Sequence, residues 1–230
     1  MALRLALFDI DGTLIRTGGA GIGAFARALA SQFGVPNGCE RIRFGGRTDS
    51  SLVRELFLQH GIPPSDENVQ RFFDGYVFYL DHLLPQMPGG VLPGVREWLH
   101  RWRGLPGSPR LGLLTGNIRL GAEIKLRHFG LWDEFETGAF ADDHIDRNQI
   151  AVAAHRRGEA LLGTPLRGDE ILVVGDTPFD IACARHIGAR VLAVATGPHP
   201  VDTLREHQPD WAVEDLREID VESVLSSGAR

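Results

Sequence analysis

The stretch Leu5-Ala6-Leu7-Phe8-Asp9-Ile10-Asp11-Gly12-Thr13-Leu14 constrains this chain more than any other. An apolar run stops abruptly at two aspartates two residues apart, followed by glycine and threonine. Downstream, short apolar runs alternate with segments of helical spacing, so this run reads as a buried strand of a parallel sheet. Two carboxylates at the end of a buried strand are costly unless something neutralises them, and a divalent cation is the usual answer. Ligands in open α/β sheets also sit beyond the carboxyl ends of the strands. The stretch is therefore expected to hold a Mg2+ site with one aspartate free for chemistry. A plain strand-ending turn is the competing reading, since Asp and Gly are common turn residues.

Taken in order, the chain divides into three parts. Gly18, Gly19, Gly21 and Gly23 make a flexible connection after the first strand. From Ala24 to about Gln86 the spacing is helical: Phe25, Leu29 and Phe33; a helix capped around Thr48-Asp49; and a longer one from Ser65 through Tyr76 to Leu83. This segment reads as a small helical unit inserted between two parts of something else. Pro85, Pro88, Gly89, Gly90, Pro93 and Gly94 then mark a second linker. Strands return at Leu111–Leu114, Phe135–Phe140, Ile171–Val174 and Arg190–Ala195, with a last short one at Trp211–Val213, and helices lie between them. Such alternation implies right-handed βαβ units and an α/β fold with a parallel sheet covered on both faces. The last residues, Ser226 to Arg230, are expected to fray.

Four strand-end signals fall on the same edge of that sheet. Asp9 is the candidate nucleophile, because a carboxylate can take up a phosphoryl group covalently. Asp11 is the candidate general acid/base. Thr115-Gly116-Asn117 offers a hydroxyl, an amide and backbone N–H groups to phosphate oxygens, although an ordinary helix cap explains Thr or Asn there equally well. Arg147 is the candidate cation offsetting the carboxylates and a phosphoryl group. Lys125, the single lysine of the chain, competes for that role. It lies about two turns into the helix after Asn117, roughly 10 Å along the axis, and that helix is expected to carry it away from the site. Asp176 ends a buried strand and is the best second metal ligand beside Asp9. Thr177, Pro178 and Asp180 resemble a capping box, so Asp180 could hold the loop, support the metal, or both.

Asp9-x-Asp11-Gly12-Thr13-Leu14, Thr115-Gly116-Asn117, a basic residue and Gly175-Asp176-x-x-x-Asp180 resemble, in order, the four motifs of the haloacid dehalogenase-like hydrolases, within which the phosphoglycolate phosphatase and β-phosphoglucomutase-like group looks most similar. The resemblance implies a Rossmann-like three-layer core, residues 1–15 and 88–230, with an inserted small α-helical cap, residues 16–87. It implies phosphoryl transfer through an aspartyl-phosphate on Asp9, with Mg2+ held by Asp9, the backbone carbonyl of Asp11 and Asp176. One departure stands out: the third motif usually reads Lys-Pro, whereas here it is Arg147-Asn148, a bidentate planar cation in place of a point charge.

Within that family Asp11 argues against dehalogenation, whose enzymes lack the second acid. The absence of lysine from the cap argues against phosphonate hydrolysis through a Schiff base. Hydrolysis of a small phosphorylated metabolite is the expected activity; a phosphomutase and a non-catalytic phosphate-ester binding protein are the alternatives. Substrate choice is expected to lie in the cap, where Arg47 or Thr48 is the candidate contact, against the simpler reading of a surface loop and helix cap. A net charge of −6 and a pI near 5.8 disfavour a generic nucleic-acid or anionic-membrane binder. Two cysteines match neither a disulfide framework nor a zinc site. No apolar run reaches the ~18 residues of a membrane span, and the N-terminus does not read as a secretory signal. A cytoplasmic protein, monomeric or weakly dimeric, is expected.

Overall fold

The computed structural model describes residues 3–105 and 107–226; the expected C-terminal fraying lies, beyond Ser226, outside the described residues. Strand β1 (Leu5–Phe8) is buried along its whole length, as expected for a strand covered on both faces. A two-residue strand β2 (Ile15–Arg16) follows, then helices α1 (Ala20–Phe33), α2 (Asp49–Gln59) and α3 (Asp66–Leu83). After β3 (Gly90–Val91) and α4 (Val95–Gly104) come β4 (Arg110–Leu114), α5 (Arg119–His128), β5 (Thr137–Ala139), α6 (Arg147–Leu162) and β6 (Ile171–Gly175). The chain closes with α7 (Pro178–His186), β7 (Arg190–Val194), α8 (Val201–Glu206), β8 (Trp211–Val213) and α9 (Val221–Ser226).

The main sheet has the order β5-β4-β1-β6-β7-β8, and every pairing in it is parallel. Side chains of a strand alternate between faces, and β1 shows the consequence. Ala6 and Phe8 pack with Trp98 and Trp102 of α4 and with Leu126 of α5 on one face. Leu5 and Leu7 pack with Ile150 and Ala154 of α6 and with Ile181 of α7 on the other. The result is the expected α/β three-layer architecture. Phe8 pairs with Leu113 on one side and with Val174 on the other, so β1, β4 and β6 end level. The strand order reverses around β1, and this is where open α/β sheets gather their ligands.

Helices α1 to α3 bury their own apolar stripe in a separate cluster around Phe25, Phe57, Phe72 and Tyr76, which Ile118 and Ala141 join from the edge of the sheet. Phe25 meets Tyr76 edge-on at 4.6 Å and Phe72 at 5.1 Å, the geometry that ring quadrupoles favour. Strands β2 and β3, on either side of the helical segment, form an antiparallel ribbon, Ile15 opposite Val91 and Arg16 opposite Gly90. Of the four glycines expected to make a flexible connection, Gly21 and Gly23 lie within α1, and Gly90 of the second linker pairs in β3. Gly18, at φ +63°, closes the ribbon against the backbone of Pro88, where a Cβ would overlap. No helix among the described residues is long and apolar enough to cross a membrane.

Candidate active site

Asp9 is the first residue beyond β1, and its backbone N–H donates to the Val174 carbonyl at 3.0 Å. That bond extends the ladder one step and fixes the side chain at the level where β4 and β6 also end. Only 5% of Asp9 is exposed. Its Oδ1 lies 3.1 Å from Nη2 of Arg147. Burial pushes the Asp9 carboxyl up to about 6, against the pull of the Arg147 guanidinium; the Asp180 and Asp11 carboxylates push the same way as burial. Asp176, just past β6, is held well above the ordinary carboxylate range, first by burial and then by Asp180 and Asp9. It accepts a hydrogen bond from the Thr13 hydroxyl at 2.9 Å. Gly12, at φ +89°, leaves no room for a side chain beside Asp176.

Arg147 is no solvated surface charge. It opens α6 just after the N-cap Asp146, is 7% exposed, and bridges Asp9 and Asp180. Its Nη1 also reaches toward the Gly46 carbonyl at 3.4 Å. Asp180 takes both roles its sequence context allowed. Its Oδ2 accepts from the backbone N–H and hydroxyl of Thr177, at 3.0 and 2.7 Å, while Oδ1 accepts from Arg147. Thr177 at the N-cap with Pro178 at the first helical position completes the capping box of α7. The acidic residues before Arg147 do not orient it: Asp143 pairs with Arg157, and Asp142 accepts from the backbone of Arg119.

The second cation overturns an expectation. Lys125 is not carried away by α5. It is 4% exposed, and its Nζ lies 2.6 Å from Oδ2 of Asp11 while also donating to Oδ1 of Asn117. Side chains on a helix tilt toward its N-terminus, and the four-carbon stem of lysine spans the distance back to the strand end. Asn117 completes the arrangement, its Nδ2 donating to Asp11 Oδ2 at 2.9 Å and to the Thr115 hydroxyl at 2.8 Å. One carboxylate oxygen of Asp11 therefore has two donors, and the side chain stays 42% exposed.

Opposite the strand ends, the segment 46–50 is stitched to the sheet edge. The Asp49 N–H donates to the Gly116 carbonyl at 2.7 Å, and Asp49 Oδ2 accepts from the Ile118 N–H at 2.8 Å. The Ser50 hydroxyl donates to the Ala141 carbonyl at 3.0 Å. Thr48 does not line the space above the aspartates: its hydroxyl accepts from Ser51 N–H as the N-cap of α2 and donates to the Ile145 carbonyl. Arg47 lines the space above the aspartates, but its guanidinium is paired with Glu55 at 2.6 Å. That space is a cavity of about 350 Å3, bounded by Asp9, Asp11, Asn117 and Asp176 on one side and by residues of α1 to α3 on the other.

Asp9, Asp176 and Asp180 each bring one carboxylate oxygen within 4.8 Å of the other two. Buried acids so close repel one another, as the raised Asp9 and Asp176 show. An all-oxygen set of this kind suits a hard divalent cation. Since Asp180 is already taken by Thr177 and Arg147, Asp9 and Asp176 are the two oxygens best free to hold one. This geometry finds its counterpart in a family comparison: the model of haloacid dehalogenase-like hydrolases matches residues 6–185. The chain belongs to that family. Among its relatives is a protein of Dickeya dadantii named "Probable phosphatase IndB", 29% identical over 94% of this chain and 91% of the relative. A phosphoglycolate phosphatase of Synechococcus elongatus is 27% identical over 92% of this chain and 93% of its own length. A hydrolase from Pseudomonas syringae, 23% identical, superposes with a TM-score of 0.72 over 98% of both chains, which is a likeness of fold.

As a haloacid dehalogenase-like hydrolase the chain carries features its motifs did not disclose. Thr13, on Asp176, was in plain view within Asp-x-Asp-Gly-Thr but had no assigned partner. Distance along the axis of α5 hides Lys125 from a reading of the sequence, because its stem reaches back toward the strand end. Asp49 read only as part of a helix start, and nothing local separates an acid at a surface cap from one pressed against the sheet edge.

Proposed function

We propose that this protein is a Mg2+-dependent phosphatase that hydrolyses a phosphate monoester of a small metabolite through an aspartyl-phosphate on Asp9. The observation that carries this reading is the pair Asp9 and Asp11. Asp9 is buried and aligned by β1, while Asp11 is held on one oxygen by Lys125 and Asn117 and is exposed to the cavity on the rest of its carboxylate. Mg2+ between Asp9, Asp176 and the Asp11 backbone would neutralise the acids and draw charge from the phosphoryl oxygens. Thr115, the backbone at Gly116, and Asn117 orient those oxygens at the start of the segment leading into α5. An Asp9 carboxylate oxygen attacks phosphorus as the ester P–O bond breaks, and Asp11 gives its proton to the leaving alkoxide. Asp11 then takes a proton from the water that attacks the phosphoryl group, and inorganic phosphate leaves with Asp9 restored. Arg147 offsets charge at Asp9 throughout.

Residues 16–87 act in this reading as a cap over a core made of 1–15 and 88–230, with the β2–β3 ribbon as the crossing point. Hydrolysis of p-nitrophenyl phosphate with Mg2+ and with EDTA tests the proposal. Turnover that disappears with EDTA and returns with added Mg2+ is expected. Binding of phosphate esters without turnover in either condition would instead make the protein a binding module.

A further inference from the structure

The cap side of the cavity has an apolar wall of Ile22, Phe25, Phe44 and Leu52. Asp49 of α2 and Tyr76 of α3 break it. Asp49 is 8% exposed and Tyr76 1%, and both line the cavity. Asp49 spends Oδ2 on the Ile118 N–H; among the described residues nothing donates to its Oδ1, and none bonds the Tyr76 hydroxyl. The Tyr76 ring cannot turn away, since Phe25 packs on it edge-on at 4.6 Å and α5 approaches closely at Gly121. Both oxygens therefore open onto the cavity, where a ligand can reach them. Around the same space each cation is already engaged: Arg147 with Asp9 and Asp180, Lys125 with Asp11 and Asn117, Arg47 with Glu55, and Arg16 with the Thr196 carbonyl.

We propose that Asp49 and Tyr76 form the leaving-group subsite, and that it takes a neutral, hydroxylated ring such as a sugar or cyclitol rather than a leaving group with its own carboxylate or phosphate. This rests on the phosphatase reading above. A ring hydroxyl donates to Asp49 Oδ1, a second meets the Tyr76 hydroxyl, and the ring's carbon face lies on Phe25 and Leu52. A carboxylate in that position would face Asp49 and would have to take a cation from an existing partner. Burial pushes the Asp49 carboxyl up to about 7 against the pull of Lys125. The cavity, about 350 Å3, is at the small end of the ~300–1,000 Å3 typical of small-molecule sites, which fits a single ring.

The test compares kcat/KM, in Mg2+, for glucose 6-phosphate and myo-inositol 1-phosphate with that for phosphoglycolate and inorganic pyrophosphate, using p-nitrophenyl phosphate as a generic ester. The polyol esters are expected to lead by at least about tenfold. In Asp49→Asn, which keeps an oxygen for the Ile118 N–H, and separately in Tyr76→Phe, that ratio is expected to fall about tenfold, mostly through KM, as loss of a hydrogen bond to a charged or buried group does. Preference for phosphoglycolate or pyrophosphate in the unaltered protein overturns the inference while leaving the phosphatase reading standing. A ratio unchanged in both variants removes Asp49 and Tyr76 from the subsite. Inertness toward p-nitrophenyl phosphate as well strikes the phosphatase reading itself.

Discussion

The two sides of the cavity anchor their polar groups differently: through a network of side chains on the sheet side, and through a single backbone N–H or, among the described residues, no partner on the helical side. On the sheet side the acids are tied: Asp176 to Thr13, Asp180 to Thr177 and Arg147, Asp9 to Arg147, and Asp11 to Lys125 and Asn117. On the helical side the polar groups Asp49 and Tyr76 keep an oxygen open to the cavity. A network whose members fix one another is pre-organised for a charge that develops during reaction. An oxygen left open is organised for a ligand that brings its own donors. On the proposed reading, chemistry and choice of substrate lie on different sides of the cavity, and variants on either side should separate them.

The largest effect is expected at Asp9. Asp9→Asn removes the nucleophilic oxygen and should lower kcat with p-nitrophenyl phosphate on the order of 10^4-fold. Arg147 keeps Asp180 as partner, so circular dichroism should show the fold retained. Activity close to that of the unaltered protein would end the nucleophile assignment. Next comes Lys125→Met, which keeps the stem's apolar packing and removes the charge. Asp11 then has Asn117 alone on that oxygen, and the loss of one charge-assisted bond of about 1.5–3 kcal/mol should lower kcat roughly 10–100-fold with little change in KM. An unchanged kcat would reduce Lys125 to a structural cation.

Why the sheet side was legible and the helical side was not follows from what carries each signal. Asp9, Thr115 and Asp176 each end a short apolar run, and a parallel sheet brings such ends level, so sequence order alone assembled them. Arg147 was placed by the same logic, as the residue between a strand and a helix. Lys125 escaped because backbone distance was taken for side-chain distance, although a lysine stem reaches back along its helix. The β2–β3 ribbon is two residues a side, too short for any alternation to register. Asp49 and Tyr76 lie within patterns that also describe an ordinary cap and an ordinary aromatic core. Their role depends on which face meets the sheet, and that is a tertiary fact.

A smaller effect, on stability, probes the charge balance of both sides. Asp9 has its carboxyl raised from 3.8 to about 6 and Asp49 from 3.8 to about 7. A raised carboxyl holds its proton more tightly in the folded chain. The stability it contributes is therefore present below the ordinary value and is lost as pH rises through about 6 and 7. In EDTA the melting temperature should fall between pH 5 and pH 8. Mg2+ favours the ionised acids, so the gain in melting temperature on adding it should grow over the same range. A gain independent of pH would mean that the cation does not bind at Asp9. Asp49→Asn should flatten the remaining slope near pH 7 without altering the gain from Mg2+.

The smallest effect belongs to the seam between the two sides. Thr48 caps α2 and donates to the Ile145 carbonyl, so it was a candidate for substrate contact that the structure turns into a fastener. Thr48→Ala removes both bonds and should cost about 1 kcal/mol, a fall of about 2–4 °C in melting temperature for a chain of this size. The backbone bond from Asp49 to Gly116 and the side-chain bond to Ile118 survive the change, so the segment keeps its register and Asp49 its place in the cavity. The preference among phosphate esters should accordingly stay within about twofold. If Thr48→Ala shifted that preference as far as Asp49→Asn, Thr48 would belong to the subsite after all, and the division between a tied sheet side and an open helical side would fail at the point where they meet.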